Sequence, residues 1–110
     1  MLNKDIVAAS STPIVLSILA RGESYGYDII QQIRKLSDDQ IIWSDGMLYP
    51  LLHRLENKEL ISSEWRKSES GRKRKYYQIN DKGSTVLQRE KLQWKIVNET
   101  LIKLWGTSYA

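Results

Sequence analysis

A charged turn tipped by glycine, set between two alternating stretches, is the feature that most limits how this chain can fold. From Arg66 to Lys75 there are six basic residues (Arg66, Lys67, Arg72, Lys73, Arg74 and Lys75) and one acid, Glu69. On the N-terminal side Ile61, Ser63 and Trp65 alternate with Leu60, Ser62 and Glu64; on the C-terminal side Lys75, Tyr77 and Ile79 alternate with Arg74, Tyr76 and Gln78. A period of two marks a strand, and Lys67-Ser68-Glu69-Ser70-Gly71 between them is polar turn material. The spacing predicts a two-stranded hairpin whose return strand runs from Lys73 to Ile79. Its local charge of +5 exceeds the +4 of the whole chain. The positive charge is thus gathered on one element, as expected where a polyanion docks.

Ahead of the hairpin the pattern is helical. Ile6, Val7, Ile14, Leu16, Ile18 and Leu19 make a first apolar helix that carries Pro13 and ends at Arg21-Gly22. Ser24 is placed to cap a second helix, in which Tyr27, Ile30, Ile33 and Arg34 follow helical spacing and Ser37-Asp38-Asp39 closes the element. Tyr27 reads as a core residue, and Gly26 allows close backbone approach. After an extended piece from Gln40 to Trp43, Ser44 is placed to cap a third helix, with Asp45 in its first turn where the helix dipole favours negative charge. Leu48, Leu52 and Leu55 recur on one face beside Leu51, and the opposite face carries Met47, Pro50, His53, Arg54 and Asn57. Pro50 lies beyond the first turn of a helix capped at Ser44, so that helix either starts later or bends.

Asn80 or Asp81 can cap a final helix that reaches about Trp105, a rod of roughly 35 Å at 1.5 Å per residue. Leu87, Trp94 and Leu101 are seven residues apart, and Val97 and Leu104 follow the last two by three, giving a heptad-like seam interrupted at Glu90. Leu92, Ile96, Ile102 and Trp105 add more apolar surface than one small domain covers. A partner helix is the natural cover, and identical chains most often pair with two-fold symmetry.

Composition removes several rivals. A chain of 110 residues, 41% hydrophobic, suits one compact unit, with no linker-like stretch to divide it. With no cysteine and a single histidine, His53, thiolate and multi-histidine metal sites are excluded, and no metal or cofactor is expected. No nucleophile elbow or phosphate-binding glycine loop is present, which argues against an enzyme. No stretch approaches the roughly 18 apolar residues of a membrane span, and the cysteine-free composition suits a reducing cytoplasm. A pI near 9.4 favours an acidic partner without separating nucleic acid from anionic lipid. The basic residues sit on a hairpin rather than along an amphipathic helix, which speaks against the lipid surface.

Three helices followed by a two-stranded wing is the winged helix-turn-helix order: a mainly α fold, here with a long C-terminal helix. Residues 1–79 form the candidate DNA-binding domain and 80–110 the candidate dimerisation helix. The chain resembles the PadR family of transcriptional regulators at Tyr25-Gly26-Tyr27-Asp28-Ile29, along the block from Gly46 to Glu56, at Leu60-Ile61, and from Gly71 through Arg72-Lys73-Arg74-Lys75 to Tyr76-Tyr77. Its length and single long C-terminal helix resemble the smaller, multidrug-responsive branch. Two positions depart from the family pattern: Glu59 stands where glycine is usual, so a left-handed cap there is strained or replaced, and Asn80 stands where threonine is common.

The resemblance implies a sequence-specific DNA-binding regulator, a repressor, dimeric on a pseudo-palindromic duplex with half-sites on the order of 10 bp apart. The DNA-binding positions are then Tyr25, Met47, Tyr49, Pro50, His53 and Arg54 around the third helix, and Arg72, Lys73, Arg74 and Lys75 on the wing. Lys73 and Arg74 are the leading phosphate contacts and Arg54 the leading base or phosphate contact. The dimer seam is Leu87, Trp94, Val97, Leu101 and Leu104. Trp94 and Val97 are the candidate site for a small aromatic or drug-like effector, beside the plainer reading of Trp94 as a packed seam residue. A winged-helix module used only for protein contacts is the competing function.

Overall fold

A computed structural model describes residues 2–106. Its elements run in the order α1 (Lys4–Ala20), β1 (Ser24–Tyr25), α2 (Gly26–Leu36), α3 (Asp45–Asn57), β2 (Ile61–Lys67), β3 (Lys73–Ile79) and α4 (Asp81–Trp105). The hairpin falls where the alternation put it, with Ser63 opposite Tyr77 and Lys67 opposite Lys73 at the tip. Gly71, at φ +83°, supplies the left-handed turn residue.

The sheet has three strands rather than two, in the order β1-β3-β2. β1 is the pair Ser24 and Tyr25, antiparallel to Tyr77 and Tyr76 of β3. Ser24 is therefore a strand residue and not the cap of α2. Tyr25 occupies the cap position, and the Ser24 hydroxyl donates instead to Asp28 Oδ2 at 2.5 Å. Ser44 does precede α3, but its hydroxyl makes no capping bond; only its carbonyl accepts, from the amides of Met47 and Leu48. α3 does not start late: it runs from Asp45, and Pro50 lies inside the helix.

The core is where the helical spacing placed it. Leu48, Leu51, Leu52 and Leu55 of α3 meet Val15, Leu16 and Leu19 of α1 and Ile29 and Ile33 of α2. Each such side chain contributes about 1.5–3 kcal/mol on burial. Tyr27 is the exception: Gly26, Ile29, Ile30 and Ile33 form the buried face of α2, and Tyr27, one step round the helix, is 67% exposed. Tyr77 closes the core at the base of the wing. Burial, reinforced by the negative charge of Glu56 and by Tyr49, pushes its hydroxyl up to about 12.

α4 is joined to the hairpin through one tight corner. α3 ends in a Schellman motif, with the Leu60 amide bonded to the Leu55 carbonyl and the Glu59 amide to the Glu56 carbonyl. That geometry requires a left-handed residue, and Glu59 adopts it at φ +60°. Asn80 then ties the corner to α4: its side-chain amide donates to the Glu59 carbonyl at 2.7 Å and its oxygen accepts from the Gly83 amide at 2.8 Å. Gly83 passes so close to Leu60 that a Cβ would lie 2.1 Å from the Leu60 carbonyl oxygen. Further along, Leu87 is only 2% exposed. It belongs to this chain's own core, and the seam read from its heptad position must be corrected there.

Two outcomes follow from the corner and the Tyr77 plug. Glu59→Gly should raise stability in urea denaturation by about 1 kcal/mol, because a non-glycine residue at positive φ is strained, while Glu59→Ala should not; Gly83→Ala should cost about 3 kcal/mol by overpacking. Because the folded pKa of Tyr77 lies above the unfolded value near 10, its contribution is intact below pH 10 and is lost as pH rises toward 12. Denaturation followed across that window should show the loss in the wild type and a smaller one in Tyr77→Phe.

Candidate nucleic-acid interface

At 100° per residue, the ridge of α3 opposite its leucines is Gly46, Pro50, His53 and Asn57. Tyr49 and Glu56 lie on the flank toward the wing, and Met47 and Arg54 on the flank toward α1. Both flanks border clefts. The first, about 740 Å³, is lined by Tyr25, Tyr27, Asp45, Tyr49, His53 and Trp65 and by the basic run from Arg72 to Lys75. The second, about 770 Å³, is bounded by Met47, Leu51 and Arg54, by Trp43, and by Lys4, Val7 and Ala8 of α1.

The ten candidate DNA-binding residues are thereby divided. Tyr25, Tyr49, His53, Arg72, Lys73, Arg74 and Lys75 converge on one cleft. Pro50 stands on the exposed ridge beside it, and Met47 and Arg54 look into the other cleft. The Arg54 guanidinium takes part in no ion pair among the described residues. Glu56 is engaged elsewhere, accepting from Ser63 Oγ at 2.7 Å and facing Lys75 Nζ at 3.7 Å. Tyr49 is half-exposed, its hydroxyl pressed against α2 where a Cβ on Gly26 would lie 2.3 Å away.

The basic run is not uniformly available. Arg66 is held by two acids, with Nη2 2.7 Å from Glu23 Oε2 and Nε 2.7 Å from Glu64 Oε1. The Arg66 guanidinium keeps the Glu23 carboxyl below the usual carboxylate range, mainly by hydrogen bonding. Arg66 also lies 4.9 Å from the centre of the Tyr76 ring, Tyr76 meets Tyr25 edge-on at 5.4 Å, and Arg74 covers the other ring, Tyr25, at 4.5 Å. This interleaving of cations and rings locks β1 onto the outer face of the wing. Lys67, Arg72 and Lys73, at and beside the turn, make no ion pair among the described residues. They are the cations a polyanion would meet first.

Three residues of this site stand outside the DNA-binding positions read from the sequence. Trp65 and Tyr27 are exposed walls of the wing cleft. The alternation had put Trp65 on the face of Ile61 and Ser63, and only the point where the hairpin leaves the core decides that it is open. Glu23 sits in a turn with no periodic signal, and its pairing with Arg66 spans 43 positions.

The far half of α4 is a separate surface. Leu92, Ile96, Val97, Leu104 and Trp105 are exposed on it. Trp94 is turned toward its own chain, lining a cleft of about 480 Å³ with Pro13, Ile14, Ile33 and Leu87; Val97 lies outside that cleft. Among the described residues there is no group of acids and histidines that could hold a metal, and no helix long and apolar enough to cross a membrane.

Several known proteins resemble this chain in sequence and shape. The chain is 31% identical over 101 residues to an uncharacterised protein of Lysinibacillus sphaericus, covering 92% of this chain and 93% of that protein. It is 30% identical over 88 residues to the transcriptional regulator YqjI of Escherichia coli K12, matching 80% of this chain but spanning only 41% of that regulator's length. A PadR-like transcriptional regulator from Bacillus cereus superposes with a TM-score of 0.82 at 32% identity, over 94% of this chain and 98% of the other. A PadR-like transcription factor from Bacteroides fragilis does so at 0.73 and 36%, over 92% and 96%. The transcriptional regulator PadR-like family matches residues 15–89, the whole span from the core of α1 through the wing into α4, and the chain belongs to that family of transcriptional regulators, not to the enzymes.

Proposed function

We propose that this protein is a dimeric repressor that reads a pseudo-palindromic duplex with the α3 ridge and grips the adjoining backbone with the wing. The observation that carries this reading is the convergence of His53 and Tyr49 with the unpaired cations Arg72 and Lys73 around one cleft. A duplex backbone lying against Arg72, Lys73 and Lys67 would leave the ridge of Pro50, His53 and Asn57 facing the base edges. Arg54, on the far flank, would reach a second stretch of backbone. Arg74 and Lys75 act at closer quarters, one already stacked on Tyr25 and the other beside Glu56, so they shape the wing as much as they bind.

Dimerisation is read from the exposed apolar half of α4, with Val97, Leu101 and Leu104 as the seam and Trp94 at its edge. Leu104 is 74% exposed in the single chain, a costly position for leucine in water. A planar aromatic effector would enter the Trp94 cleft, between α4 and the first two helices. It would act on DNA only through unequal affinity for the two helix arrangements, changing the separation of the two α3 ridges.

Three experiments test this. Binding of a duplex selected from a random library should weaken with salt, and Lys73→Ala should lower the log–log salt slope by about 0.9, whereas His53→Ala should alter the selected sequence with less change in slope. Val97→Glu combined with Leu104→Glu should leave a folded monomer in sedimentation at micromolar concentration. In the wild type, planar hydrophobic compounds should quench tryptophan fluorescence and weaken duplex binding, and Trp94→Ala should abolish the quenching; a broad aromatic panel without effect would remove the pocket from the reading.

A further inference from the structure

Trp65 is the largest exposed apolar side chain on the wing, 66% open to solvent. It stands on β2 directly opposite Lys75 of β3, and directly opposed residues share a face of the hairpin. One step toward the tip on that face is the pair Lys67 and Lys73, and one step toward the base is Ser63 with the buried Tyr77. The indole therefore sits where the wing leaves the core, on the wall of the cleft shared with Tyr49 and His53.

Nothing in the fold requires an indole there. Trp65 belongs to no apolar cluster of the core, and β2 is an edge strand of the sheet. Its surroundings also limit what could cover it. An apolar protein surface would have to desolvate Lys67, Lys73 and Arg72 to reach it, and none of these is held in an ion pair among the described residues. A duplex backbone presents the opposite arrangement, with phosphates that match the flanking cations and, between them, the apolar faces of the sugars.

We propose that Trp65 is a DNA-contacting residue, packing its indole against a deoxyribose between the phosphates held by Lys73 and Arg72. The inference rests on the DNA-binding reading above and adds a contact that releases no counterion. Its signature follows from that difference. A cation contributes to the salt dependence of binding, and a stacked ring does not.

The test is duplex binding by fluorescence anisotropy at several salt concentrations, using the full chain and a duplex selected with the wild type. Trp65→Ala should weaken binding about tenfold at every salt concentration with the slope unchanged, and Trp65→Phe should recover most of the loss. Thermal melts of both variants should match the wild type, since the side chain lies outside the core. Trp65→Ala within twofold of the wild type would overturn the assignment, and so would a loss accompanied by a shallower slope, which would make the indole a support for the cations. Failure of the wild type to bind any duplex would instead remove the DNA-binding reading itself.

Discussion

Glu56 is the pin on which the arrangement of this molecule turns. It projects from the last turns of α3 and accepts the Ser63 hydroxyl of β2 while facing the Lys75 ammonium of β3, with Tyr77 buried beneath. One carboxylate thus joins the two strands of the wing to the helix whose ridge is most open. It adds to the anchoring that Ile61 and Tyr77 provide from within the core, since an isolated hairpin has little stability of its own. The third strand works to the same end from the other face, where the sequence of contacts from Arg66 through Tyr76 and Tyr25 to Arg74 clasps the start of α2 to the wing. The relative placement of α3 and wing is therefore a property of the folded chain, present before any ligand arrives, and preorganisation of this kind reduces the ordering cost of binding.

The same contacts sort the positive charge. A run of six cations looks uniform as text, yet Arg66 is neutralised by Glu23 and Glu64, Lys75 faces Glu56, and Arg74 is stacked on a ring. What remains uncompensated is the turn itself. Exposed cations at a hairpin tip also guard an edge strand against unwanted pairing, so one feature can serve solubility and recognition together.

α4 is built in two parts with different partners. Its first two turns are fastened by Asn80, by the close passage of Gly83 over Leu60 and by Leu87 in the core. The rest extends from a molecule 53 Å in its longest dimension, carrying Leu92, Ile96, Val97 and Leu104 exposed in the single chain. Asn80 bonds both the helix start and the Glu59 carbonyl, so in the proposed dimer a displacement of the free end would be carried to the wing corner. In the proposed dimer, this is the route by which an event at Trp94 would be felt at α3.

Local chemistry in the sequence was enough to determine the elements. The alternation on either side of Gly71 placed β3 from Lys73 to Ile79, the leucine spacing of α3 found its buried face, and the polar side chain of Asn80 marked the start of α4. These depend on period and capping, which neighbours in the chain decide by themselves. Tertiary structure alone decided β1, since a two-residue strand has no period and exists only because β3 offers a free edge. It decided that Tyr27 is exposed and Leu87 buried, because a helical pattern gives a face but not what lies against it. It also decided which cations are compensated, since Glu23 and Arg66 meet only when the chain has folded. Charge and spacing are carried by the residues, whereas exposure and pairing belong to the space between elements.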